Sequence, residues 1–254
     1  MKIRLSNILQ NILPQSKQLI PYGFYLPYFI LLIIGIDERY KIGSAAFLYP
    51  DSNSYLLPAV LKKASGVWYL GDRPLQYLQF LYLTIGDGKN FVQTPILIQQ
   101  MLGIAGGIFL VIAWVVYISA FNGHKLIYHA IGWFMAAVYF TSPLLMFYEK
   151  LIEPESISMF FMSLLICGMS IAYHKNTKAN LRLVTLSILL FVNFYLTNPM
   201  TKWMFAAIGL EIAFTFSLFR IQSITLPRRI LAFAVPIFLC FVLVWLPQKN
   251  VPGG

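Results

Sequence analysis

Read as apolar and polar positions, the chain alternates long apolar runs with short polar joints. Apolar stretches near 19–36, 95–121, 127–147, 157–173, 183–197, 203–219 and 230–247 each approach the roughly 20 residues that cross a hydrocarbon core of about 30 Å. The pattern predicts seven helical spans, the fifth and sixth shortened by Thr197-Asn-Pro-Met-Thr-Lys202. One connection is long, 37–94, and a loop of that length usually carries structure or function. Within it, 51–66 predicts a helix with polar residues at its start and Gly66 at its stop. Tyr55, Leu56, Ala59, Val60 and Lys63 recur at three- and four-residue spacing, as on a helix lying along a membrane surface. The segment 74–85 is apolar but, at 1.5 Å per residue, only about 18 Å long as a helix, too short to span. Tyr77 and Tyr82 suit an interfacial position for it. The fold class expected is all-α: a polytopic transmembrane helical bundle of about seven spans, with juxtamembrane helices in the first outer loop and residues 1–254 forming one integral membrane domain.

Composition narrows this further. With 59% hydrophobic residues, 11% charged and a mean hydropathy of +0.71, a water-soluble domain is excluded on ordinary composition. Lys and Arg are retained in short cytoplasmic loops, and with the N-terminus inside those loops hold Lys2, Arg4, Lys17, Lys125, Lys175, Lys178, Arg182, Arg220, Arg228 and Arg229 and no acid. The net charge of +10 is therefore topological, facing anionic lipid, and predicts no nucleic-acid partner. Leu19 to Ile36 is long for a signal h-region and is followed by Asp37-Glu-Arg39 where small cleavage-site residues belong, so it reads as a retained anchor. No Asn-X-Ser/Thr acceptor occurs, which is compatible with a bacterial plasma membrane. Cys167 and Cys240 fall inside predicted spans and suggest neither a disulfide nor a metal site.

The acids are distributed unevenly. Eight of nine fall in segments that this topology puts outside: Asp37, Glu38, Asp51, Asp72 and Asp87 in the first loop, and Glu149, Glu153 and Glu155 in the second, 148–156. In Tyr49-Pro-Asp-Ser-Asn-Ser-Tyr55, Asp51 is placed either to act as a general base or to cap the helix that follows, the latter worth about 1 kcal/mol. Arg73, in Gly71-Asp-Arg-Pro74, offers a fork suited to a lipid phosphate or to a neighbouring acid. Pro154 marks a helix start and the dipole favours Glu155 in its first turn, while Lys150 could neutralise a neighbour. Carboxylates from two loops could also converge on a divalent cation, although their spacing specifies no metal. Glu211 lies within a span, toward the cytoplasmic half, and reads as a protonated or hydrogen-bonded structural group. His124, His129 and His174 form no ligand motif and read as solvated or interfacial.

The order of an outer-loop Asp, surface helices leading to Arg-Pro, a Gly-Asp segment, and Ser142-Pro-Leu-Leu-Met-Phe-Tyr148 running into Glu149-Lys-Leu-Ile-Glu-Pro-Glu155 resembles the polytopic lipid-linked-sugar glycosyltransferases of the type C superfamily. The likeness covers about 19–200 and is nearest to the branch similar to dolichyl-phosphate-mannose protein mannosyltransferases and lipid A aminoarabinose transferases. It implies inverting sugar transfer from a polyprenyl-phosphate donor to a lipid, glycan or protein acceptor. Asp51 would be the catalytic carboxylate, Glu155 and then Glu149 the second-loop carboxylate, and Arg73, with Lys150, the phosphate-binding cations. Such enzymes have more spans and often a C-terminal outer domain, so a truncated product, a compact form, or a protein partner supplying those elements is a further expectation. The competing reading is a noncatalytic membrane carrier or lipid-binding subunit with the same architecture.

Overall fold

The computed structural model describes residues 23–69, 75–86, 91–120, 125–197 and 204–245. Among these residues the secondary structure is helical, apart from one isolated bridge between Phe47 and Leu151. Ten α-helices follow in order: α1 (Leu26–Ile42), α2 (Ser52–Ser65), α3 (Leu75–Thr84), α4 (Gln93–Ser119), α5 (Lys125–Thr141), α6 (Pro143–Lys150), α7 (Glu155–Tyr173), α8 (Ala179–Thr197), α9 (Met204–Phe219) and α10 (Leu226–Cys240). A π-turn, Phe241–Trp245, continues α10.

Among the described residues three helices are long and apolar enough to cross a membrane: α4, α7 and Leu226–Leu243. Counting the bent pair α5 and α6 as one broken span makes four, while the apolar helices Ala179–Asn193 and Ile208–Phe219 are shorter. The expected third run, 127–147, is thus two helices meeting at 42°. The break has a local cause. Pro143 disfavours helical geometry at the residue before it, Ser142 is extended with ψ 117°, and its hydroxyl accepts the Leu145 N–H at 3.4 Å to restart the helix. The first expected run begins outside the described residues, and α1 continues past Ile36 through Asp37, Glu38 and Arg39 to Ile42.

The packing follows the chain. Helix α1 lies on α5, α5 on α4, α4 on α7, α7 on α8, and α8 on both α9 and α10. Phe140 and Ala136 of α5 meet Tyr28 of α1 in one core, while Leu186, Leu189 and Leu190 of α8 meet Phe214 and Leu218 of α9 in another. At the end of the bundle where the acids gather, α2 and α3 form a third core with Ile96 and Ile152. Here the stripe expected on α2 has a protein partner. Tyr55, Leu56 and Ala59 of the α2 stripe, and Tyr77 of α3, are buried against each other, because two short amphipathic helices remove more apolar area from water by pairing than by lying apart.

At the opposite end, Arg182 donates to the His174 carbonyl at 3.4 Å and Arg229 to the Phe219 carbonyl at 2.5 Å, where helix C-termini favour cations. Two further expectations change. His129 is buried and stacks on Phe24 at 4.9 Å, whereas His174 stays at a helix end with Nε2 3.0 Å from Ser119 Oγ; His124 lies outside the described residues. Glu211 stands midway along α9 and accepts the Asn193 side-chain N–H at 2.7 Å.

Helices α4 and α5 approach closely through Gly107, where a Cβ would come within 2.5 Å of Phe140 Cε1 and 2.8 Å of Tyr139 Cε1. Gly107→Val should destabilise the bundle by about 1–3 kcal/mol, the range for overpacking. Thermal unfolding in detergent would register it as a lowered midpoint, with Gly107→Ala intermediate.

Candidate functional site

At the acidic end, the end of α1 is fastened to α6. Arg39 Nε donates to Glu149 Oε2 at 2.7 Å and Nη2 to Oε1 at 2.6 Å, the bidentate fork that suits guanidinium and carboxylate. Arg39 Nη1 also donates to the carbonyls of Gly35 and Phe140, each at 3.1 Å. Both side chains are buried, 3% and 4% exposed. The space for them comes from α4, since a Cβ on Gly103 would collide with the Glu149 carboxylate. Tyr139 donates to the Gly103 carbonyl at 3.1 Å, holding α5 to the same point.

A second set of bonds seats the segments beyond these helices. Gly43, at φ 74°, turns the chain out of α1 in a conformation that glycine adopts without strain. Its carbonyl accepts Gln100 Nε2 at 3.1 Å. Lys150 is buried, donates from Nζ to the Ile42 carbonyl at 3.2 Å and lies 4.6 Å from the Phe47 ring centre, a cation–π distance. The Phe47 N–H donates to the Lys150 carbonyl at 2.9 Å. Gln99 Nε2 donates to the carbonyls of Glu149 and Leu151 at 3.2 and 2.8 Å, and Gln99 Oε1 accepts the Tyr77 hydroxyl at 3.1 Å.

These contacts surround the parallel bridge between Phe47 and Leu151. Asp51 lies four residues beyond the first and Glu155 four residues beyond the second, so both chains leave one anchor in the same direction. Asp51 occupies the N-cap position of α2, but its side chain makes no cap bond; Ser54 donates instead to the Asp51 carbonyl, from N at 3.0 Å and Oγ at 2.6 Å. The capping expectation therefore holds for position and not for the carboxylate. Glu155 opens α7. Its Oε2 is buried without a hydrogen-bond partner, as is the Ser156 hydroxyl. Tyr77 links the two sides: its ring meets Tyr55 of α2 edge-on at 5.2 Å, and burial first, then the charge of Glu155, raise its pKa well above the usual phenol value.

The sequence-derived site residues thus divide. Lys150 sits at the bridge, and Asp51 and Glu155 each follow the bridge by four residues. Glu149 has both oxygens on Arg39. Arg73 lies outside the described residues. Among the described residues no group of three His, Cys, Asp or Glu side chains could hold a metal ion. Arg39, Gln99, Gln100, Gly103 and Tyr77 were not found by sequence reasoning, and the one signal was a Gln-Gln pair inside an apolar run. Tyr139 also lines an apolar cavity of about 610 Å³ between α4, α5 and α7, with Gly107, Trp114, Gly132 and Ile166 among its walls.

No protein-family model matches the chain, no curated protein matches it, and no solved structure matches it.

Removing one member of a buried ion pair leaves a bare charge, at a cost of about 3–5 kcal/mol, whereas an apolar pair of similar volume costs little. Arg39→Ala should therefore lower the unfolding midpoint steeply, and Arg39→Met combined with Glu149→Leu should recover most of the loss in the same assay.

Tyr77 predicts a pH dependence. Below about pH 10 the phenol is neutral both folded and unfolded. Above that the unfolded chain loses its proton first, because the folded pKa is raised, so stability falls as pH rises toward the folded pKa. Tyr77→Phe should cost about 0.5–1.5 kcal/mol at neutral pH through the lost bond to Gln99 and make the alkaline decline in the unfolding midpoint shallower.

Proposed function

We propose that the chain is an integral membrane glycosyltransferase that moves a sugar from a polyprenyl-phosphate donor to a hydroxyl of a lipid, glycan or protein acceptor at its acidic end. The observation that carries this reading is the Phe47–Leu151 bridge, with Asp51 and Glu155 each four residues beyond it and the buried Lys150 ammonium beside it. Carboxylates near an electron-deficient sugar carbon, and a cation near the departing phosphate, are the groups that glycosyl transfer requires.

In this reading Asp51 takes the proton of the acceptor hydroxyl as its oxygen forms a bond to the sugar C1. The C1–O bond to phosphate breaks from the opposite face, and the phosphate leaves with the electron pair, which inverts the anomeric configuration. Glu155, with one buried oxygen unpartnered, stabilises the oxocarbenium-like carbon. Lys150, together with Arg73, receives the phosphate. Glu149 is assigned to the fold, since Arg39 neutralises it. The apolar cavity beside Tyr139 would take the start of the isoprenoid chain. The topology that goes with this has seven spans, a cytoplasmic N-terminus and a bacterial plasma membrane.

The test is transfer of radiolabelled sugar from a panel of polyprenyl-phosphate donors in membranes expressing the chain. Asp51→Asn should reduce transfer by about 10²–10⁴-fold, the usual contribution of a general base, with expression and unfolding midpoint unchanged. Transfer equal to the parent in Asp51→Asn would remove the mechanism. Folded parent protein that transfers nothing across a full donor and acceptor panel would favour a noncatalytic lipid-binding subunit.

A further inference from the structure

Arg39 belongs neither to the candidate acids nor to the candidate phosphate cations, yet it makes four hydrogen bonds from a nearly fully buried side chain. Three of them tie α1 to two other segments: two to Glu149 on α6 and one to the last turn of α5 at Phe140. Within four residues of Arg39, Ile42 and Gly43 give their carbonyls to Lys150 and Gln100. Within two residues of Glu149, Lys150 and Leu151 pair with Phe47. The bridge therefore sits between two chain segments whose roots are held together by one fork of hydrogen bonds. Asp51 and Glu155 extend from the far side of that bridge.

We infer that Arg39 is a positioning residue: its fork on Glu149 keeps the Phe47–Leu151 bridge closed, and the bridge keeps Asp51 and Glu155 facing one substrate. This rests on the function proposed above for the two acids, whereas the closure of the bridge can be measured without it. Directly paired strands lie about 4.7–4.9 Å apart, within the Cα separations of about 4.4–6.8 Å that a disulfide spans, so a cysteine pair at these positions reports closure directly.

The experiment uses the full chain in membranes with Cys167→Ser, Cys240→Ser, Phe47→Cys and Leu151→Cys as the parent, and copper phenanthroline as oxidant. The parent should form the intramolecular disulfide readily. Adding Arg39→Gln with Glu149→Gln, which removes both charges and leaves no bare ion, should lower the cross-linking rate at least fivefold. Arg39→Lys, which keeps the charge and loses the fork, should fall between the two. Sugar transfer by the Gln pair under reducing conditions should drop at least tenfold against the parent and return to within about threefold once the disulfide has formed, then drop again with reductant. The unfolding midpoint of the Gln pair in detergent under reducing conditions should stay above the assay temperature, which separates an open bridge from a lost fold, since a disulfide can itself stabilise a fold.

Cross-linking as fast in the Gln pair as in the parent overturns the inference, and so does transfer that stays low after the disulfide forms. A parent that never cross-links refutes the closed bridge itself. A parent that cross-links but transfers no sugar defeats the proposed function while the cross-linking rates still decide whether Arg39 closes the bridge.

Discussion

A guanidinium and a carboxylate removed from water each lose several kcal/mol of hydration, and only close, complete pairing returns it. Arg39 and Glu149 meet that condition. Four hydrogen bonds serve this pair, two between the ions and two from the guanidinium to backbone carbonyls, and Gly103 on α4 leaves the gap that admits it. The rest of the acidic end depends on this arrangement. The end of α1 cannot drift from α6 without exposing a buried charge, so the segments that continue from both helices are held at one place. The same pairing occupies both carboxylate oxygens of Glu149.

The helices of this chain were legible in its sequence because apolar runs and polar joints are local signals. The bend at Ser142-Pro143 is also local, yet the run 127–147 is apolar on both sides of it, and hydropathy alone does not register a change of direction. Charged residues do not end a helix, so α1 passes through Asp37-Glu-Arg39 where the hydropathy pattern placed its end. The stripe on α2 was legible as a stripe; its partner, α3, was expected at the interface as an element too short to span, and that the two pair with each other was not legible. For the site, the position of Asp51 at a helix start was legible. The pairing of Arg39 with Glu149 was not, since they lie 110 residues apart and Arg39 stands in a run of charges that reads as a loop. Gln99 and Gly103 carry the same lesson: each acts through a neighbour that the sequence does not put beside it.

Polarity inside the apolar part of the bundle has a different character. Glu211 and Asn193 answer each other across α8 and α9 at 2.7 Å, which supplies a reason for an acid in an otherwise apolar helix. Nothing comparable is built around them among the described residues: neighbouring contacts are those of a leucine- and phenylalanine-rich core. At the acidic end, by contrast, Arg39, Lys150, Gln99, Gln100 and Tyr77 are buried together with a purpose-shaped gap and a chain of bonds to backbone carbonyls. Desolvating that many polar groups is costly unless each is satisfied, and a fold that needed only to cross a membrane has no reason to assemble them.

The direction of the Phe47–Leu151 bridge matters as much as its existence. Because it is parallel, the two chains leave it in the same direction, one leading to α2 and the other to α7, and each reaches an acid at the start of its helix. Helix N-termini present unpaired N–H groups and the positive end of the peptide dipole. An antiparallel bridge would have sent one chain away and left a single acid at the anchor. The parallel one leads into two helix starts, and Lys150 adds positive charge at the bridge. The arrangement therefore reconciles what the sequence alone left in tension: acids collected at one end of the bundle, close to a cation, with the structural ion pair formed by a different acid altogether.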